Sequence, residues 1–183
     1  MSQLVERFVN SLEAKGIPRA EALTAFGQQA LPLTGLDGRE RCAALHAVSG
    51  GWRVGRIFRG THNNVILPTL LLALCSLFSG PAELAHTHPC CACHAGEVFS
   101  GRRRAPGQKA MPGDALVPGL GRLRAICLVA PSGTMLRMDK SGHVEPLGRL
   151  TDSDGRPMRL TRRCSSRFHG QLPVMKDPIV KKR

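Results

Sequence analysis

Tyrosine is missing from this 183-residue chain, tryptophan occurs once, at Trp52, and aromatic residues make up 4%. So sparse a supply argues against a surface that stacks nucleic-acid bases on Tyr, Phe and Trp. Acidic residues are also few, 13 against 26 Lys and Arg, leaving a formal charge of +13. A surplus of that size favours anionic partners: nucleic acid, an acidic protein or an anionic membrane surface. The charge is uneven. Arg102, Arg103 and Arg104 form one block, Arg159, Arg162, Arg163 and Arg167 another, and Lys181, Lys182 and Arg183 a third.

A long hydrophobic run is lacking too. The best stretch, Val65 to Phe78 ("VILPTLLLALCSLF"), is shorter than the roughly 20 residues that span a bilayer, and Pro68 interrupts its start. Its Thr69 to Phe78 part reads as a helix buried in a core, so no stable membrane insertion is expected. The flanking Arg53, Arg56 and Arg59 fit a membrane-associated reading as well. The first 16 residues carry charge where a signal peptide is apolar. The seven cysteines are an odd number. Together these point to a reducing, cytoplasmic setting with free or metal-bound thiols. Neither "SGG" nor "GLG" has the strand–loop–helix frame of a phosphate loop, and no internal repeat is visible.

What is present suits one α+β domain. Leu4, Val5, Phe8, Val9 and Leu12 keep helical period behind a capping Ser2. Pro18 suits the first turn of a second helix, with Leu23, Phe26 and Ala30 on one face and Pro32 beyond its end. Strands are expected at Arg41–Val48 and, by alternation, across "WRVGRIFRG", with Val54, Arg56 and Phe58 facing one way and Ile57 the other. "VIL" reads as a short strand, "AELAHTH" as another. Asp114 is positioned to cap a short helical turn in "DALVPGL". "RAICLVAP", "MLRMD" and "HVEPL" read as the last strands. The sheet is expected to be mixed or mostly antiparallel and flanked by helices. The organisation read from this is a helical N-terminal extension over 1–35, a domain over 36–147, and a basic tail over 148–183 with little fixed structure.

Three of the seven histidines and three of the seven cysteines crowd into "LAHTHPCCACHAGEVFSG", Leu84 to Gly101. His86 and His88 are two apart on an expected strand, so both imidazoles share a face and can grip one zinc ion. Cys42, Cys75 and Cys127 sit in apolar runs and read as small core residues.

The surroundings of the histidine pair resemble the JAB/MPN (JAMM) metallopeptidase domain, whose motif is a Glu on an early strand, H-x-H-P on a later one, and a loop with Ser and Asp. "HTHP" matches the histidine element, "VFSG" places Ser100 at the motif serine, "RERCAALH" points to Glu40, and "ICLVAPSGTMLRMD" resembles the strand–turn–strand that follows in bacterial JAB-like domains of uncharacterised function. The resemblance covers roughly residues 36 to 145. It implies zinc on His86 and His88, Glu40 as general base, Ser100 as oxyanion donor, and hydrolysis of a peptide or isopeptide bond in a protein or peptide substrate.

One element departs from the pattern. The aspartate expected three residues after the serine is Arg103, which cannot ligate zinc. Three readings follow: Asp114 replaces it; Cys90, Cys91, Cys93 or His94 supplies the third ligand; or the domain is metal-free. The last is the alternative function, a catalytically inactive JAB-like binding module whose basic surface, tail included, contacts nucleic acid or an acidic protein.

Overall fold

The computed structural model describes residues 16–61, 65–89, 97–99 and 113–160. The N-terminal helical stretch before Gly16 and the basic residues after Leu160 lie outside them. Helix α1 (Arg19–Asp37) starts after Pro18 and ends on Gly38, whose left-handed backbone (φ 66°) lets its N–H reach the Thr34 carbonyl. Seven strands follow in one mixed sheet: β1 (Arg41–Val48), β2 (Gly51–Val54), β3 (Phe58–Arg59), β4 (Ala82–Thr87), β5 (Leu123–Val129), β6 (Thr134–Asp139) and β7 (Val144–Arg149). Helix α2 (Ile66–Ser79) joins β3 to β4, and a 3-10 turn, Asp114–Gly119, precedes β5. The order is β2-β1-β4-β5-β6-β7, with β3 also on β1. Only β4 and β5 pair in parallel; the other pairs are antiparallel. The chain is thus α+β, as its pattern implies.

Strand alternation divides the core into two layers. Ala22, Leu23, Phe26 and Leu31 of α1 pack on Ala43, Leu45, Ala85, Cys127 and Val129. On the opposite face, Leu72 and Ala73 of α2, Phe99 and Val117 cover Cys42, Ala44, Leu84, Ile126 and Leu128. Gly27 is what lets α1 approach closely, since a Cβ there would come within 2.8 Å of Leu150.

Several expectations need correction. Pro32 lies inside α1, not beyond it. The buried neighbours Ala30, Leu31 and Thr34 hold the helix against the sheet despite the lost backbone bond. The 35/36 boundary therefore falls within a helix that builds the core. "WRVGRIFRG" divides into β2 and β3 because the ladder on β1 takes in one extra residue between Val54 and Phe58. That bulge flips the side-chain parity: Val54 and Ile57 both pack on the α1 layer, Phe58 on the other.

No strand forms at "VIL", because Ile66 already opens α2 and Pro68 sits in its first turn, where the missing N–H costs nothing. Nor is α2 buried all round. Thr69, Leu72, Ala73 and Ser76 face the sheet, while Ile66, Leu70, Leu71, Leu74, Leu77 and Cys75 are exposed, so Cys75 is no core residue. Among the described residues no helix is long and apolar enough to cross a membrane. Past Gly148 the chain stays packed: Leu150 is fully buried, Thr151 bridges Pro157, and the Leu160 N–H donates to the Pro131 carbonyl. The expected lack of fixed structure from 148 onward is wrong as far as Leu160.

Under the α1 layer lies a buried carboxylate. Glu83 on β4 is 1% exposed. One oxygen accepts from Arg137 Nε and Nη2 at 3.1 and 2.9 Å. The other lies 3.4 Å from Arg19 Nε and accepts from the Cys127 thiol at 3.6 Å. Arg137 also donates to Glu145 at 3.0 Å. Burial, with the Glu83 carboxylate adding to it, drives the Cys127 thiol well above its ordinary pKa. Breaking such a set by removing one partner costs about 3–5 kcal/mol. Glu83→Ala is therefore expected to lower the unfolding free energy by about that amount in a urea titration, and the Glu83→Ala/Arg137→Met pair by less than the single change. A loss for Glu83→Ala under about 1 kcal/mol would mean the charges are solvated instead.

Candidate metal centre

The site forms where β1 and β4 end side by side. Alternation on β4 sends Leu84 and His86 to the α2 layer, and Glu83, Ala85 and Thr87 to the α1 layer. His86 is fully buried and His88 nearly so. The His86 ring is held through Nδ1, 2.9 Å from the Cys127 carbonyl on the parallel neighbour β5. A carbonyl only accepts, so Nδ1 donates to it and Nε2 is the ring nitrogen turned to the site. Phe99 closes one side, its ring 6.2 Å from that of His86.

Asp114 arrives from the long connection between β4 and β5. It is not a helix cap: Gly113 occupies the cap position and Asp114 is the first residue of the 3-10 turn. It is 8% exposed. Its Oδ1 lies 3.3 Å from His86 Nε2 and its Oδ2 3.6 Å from His88 Nε2, while the two Nε2 atoms are 3.1 Å apart. Burial alone would raise its pKa, but the two imidazoles, His86 foremost, hold it well below the usual carboxylate range.

Glu40 completes the group. In the antiparallel β1–β4 ladder Cys42 faces His86. The paired register stops there; Glu40, two residues before Cys42, follows on the same face by alternation, and its carboxyl interacts electrostatically with both His88 and Asp114. Its backbone is fully engaged, the N–H donating to Thr61 and the carbonyl accepting from Gly60, both at 2.8 Å. The side chain is 93% buried, and burial pushes its pKa up to about 7; His88 pulls it down and Asp114 pushes it up. Burial, with the Glu40 charge adding to it, takes the Cys42 thiol to about 12, so it stays protonated and inert.

The donor set fits a metal ion. His86, His88 and Asp114 each offer one ligand atom, all within 4.8 Å of one another. Four ligands about 2.0–2.1 Å from a tetrahedral zinc stand roughly 3.3 Å apart; the two Nε2 atoms are 3.1 Å apart and Asp114 Oδ1 lies 3.3 Å from His86 Nε2, while the 3.6 Å approach to His88 is made by the other oxygen, Oδ2. Three protein ligands leave one position open, as catalytic zinc sites do. The structure thus brings together His86, His88, Asp114 and Glu40. Ser100, Arg103, Cys90, Cys91, Cys93 and His94 lie outside the described residues. Phe99, adjacent in sequence to Ser100, borders the site, and Glu97 accepts from the Ser132 N–H at 3.0 Å and from its hydroxyl.

Two supports were not read from the sequence. The Cys127 carbonyl orients His86, and Thr87 ties the ends of the strands together. Only the position of Thr87 between the two histidines hinted at its part. The class defined by fold and site is an α+β protein with a buried two-histidine, one-aspartate group able to hold a metal ion. No family model, curated protein or solved structure matches the chain.

Proposed function

We propose that this protein is a zinc-dependent hydrolase of the JAB/MPN type that cleaves a peptide or isopeptide bond. The observation that carries this reading is the convergence of His86, His88 and Asp114 around one buried point, with the buried Glu40 carboxyl from a third segment close enough to interact with both His88 and Asp114. His86, His88 and Asp114 would hold the ion. When bound, zinc acidifies a coordinated water and polarises the scissile carbonyl. Glu40, just before β1 and within electrostatic reach of His88 and Asp114, takes the proton from the attacking water and delivers it to the leaving amine. Ser100 is the proposed donor to the oxyanion. A carboxyl that titrates near neutrality is suited to both directions of that transfer. The surplus of 13 positive charges supports an acidic protein as substrate or partner.

The test is hydrolysis of a quenched fluorescent peptide panel and of an isopeptide-linked conjugate by the purified full chain. Cleavage should stop with a chelator and return with one equivalent of zinc. Cleavage indifferent to chelation, or a protein that takes up no zinc, would overturn the reading.

A further inference from the structure

Thr87 lies between the two histidines and points away from them, yet it is fully buried and doubly engaged. Its hydroxyl shares a hydrogen bond of 2.6 Å with the Thr34 hydroxyl of α1 and accepts the Arg41 N–H at 3.0 Å. Arg41 is the residue after Glu40. A side-chain oxygen here takes a β1 N–H at the end of the β1–β4 ladder. Thr34 belongs to the last turn of α1, the turn closed by Gly38. Three residues on, Asp37 binds Arg41 Nη2 at 2.7 Å and Arg59 Nη2 at 3.0 Å. The strand end that carries Glu40 is thus fastened to α1 on the side opposite the metal ligands.

We propose that the Thr34–Thr87 hydroxyl pair is a positioning element of the metal centre. It fixes the distance between the Glu40 end of β1 and the His86–His88 end of β4. The proposal rests on the zinc reading above. Its physical basis is that a ligand pair keeps its geometry only if the backbone carrying it cannot slide or splay. Here the peptide between the ligands is held by one short hydroxyl contact to a helix and one to the partner strand. Losing a group that hydrogen-bonds a metal ligand directly costs roughly 10- to 100-fold in metal affinity; this pair acts one step further out, through the backbone that carries the ligands, and the lower end of that range is expected.

Zinc affinity of the full chain, measured by competition with a chelating dye, tests this at a temperature where circular dichroism shows every variant folded. Wild type should take up one zinc per chain. Thr87→Val keeps the shape and loses the oxygen, and should bind zinc about tenfold or more weakly. Thr87→Ser should restore wild-type affinity. Thr34→Val keeps the Arg41 acceptor and should fall between the two; it carries the comparison if Thr87→Val does not fold. Combined with Thr87→Val it should add little, because the Thr34–Thr87 bond it removes is already lost in Thr87→Val. Val variants with wild-type zinc affinity and only a lower melting temperature would overturn the proposal, leaving the zinc reading intact. A wild type that binds no zinc would overturn both.

Discussion

Alanine in place of His86 is expected to abolish stoichiometric zinc binding. His86 Nε2 is the donor closest to the other two ligand atoms, 3.1 Å from His88 and 3.3 Å from Asp114. Losing it should exceed the roughly 10- to 100-fold that removal of an outer support costs. Asp114→Ala should do the same, and this change separates the readings left open by Arg103. If Asp114 is the third ligand, its loss empties the site while Cys90→Ala/Cys91→Ala/Cys93→Ala leaves the zinc content unchanged. If thiolates supply the ligand, the pattern reverses. The geometry favours Asp114, since it is buried with one oxygen turned to each imidazole, Oδ1 3.3 Å from His86 Nε2 and Oδ2 3.6 Å from His88 Nε2. Elemental analysis of each purified variant reads the result. One zinc per chain retained in His86→Ala would rule out this centre.

How far the site was legible can be argued from its residues. His86 and His88 were readable because strand period is two: a pair two apart must share a face wherever the strand lies. Glu40 was readable only through the order of motif elements, since nothing local distinguishes a carboxylate before a strand from a solvated turn residue. The β1–β4 pairing that brings it near His88 and Asp114 is a long-range fact. Asp114 was named as a replacement ligand, yet its local reading, a helix cap, was mistaken. Its side chain turns instead to the imidazoles, whose attraction outweighs the cost of burial.

The fold shows the same division. "RCAALHAV" forms β1 from Arg41 to Val48 as read: it is a short apolar run between turn residues, and it is buried continuously from Arg41 to Leu45. The bulge after Val54 was illegible, because a single added residue reverses parity without changing composition. So was the packing of Leu150 under Gly27: in a polar, basic neighbourhood one leucine carries no period, and its burial depends on a helix over a hundred residues away.

Glu40→Gln is expected to retain zinc yet lower the rate of amide cleavage by about 10²- to 10⁴-fold, the usual contribution of a positioned general base. The glutamine fills the same space beside His88 but cannot take the proton. The pH dependence supplies a second, independent signature. In the metal-free protein Glu40 titrates near 7 instead of its ordinary 4.5, chiefly because it is buried. Below pH 4.5 the folded and unfolded chains are both protonated there. Between 4.5 and 7 the unfolded chain gives up the proton while the folded one retains it. Stability from this group is therefore lost as pH rises through that window, by roughly 3 kcal/mol in all. Glu40→Gln should remove that decline, so urea titrations of the chelated variant at pH 5 and pH 8 should differ less than those of the chelated wild type. With zinc bound, the cation favours the carboxylate, so the acidic limb of kcat/KM in the wild type should fall below pH 7. The limb should vanish in Glu40→Gln. A variant that keeps both the wild-type rate and the wild-type acidic limb would show that Glu40 moves no proton in the reaction, and the base would have to be sought elsewhere around His88.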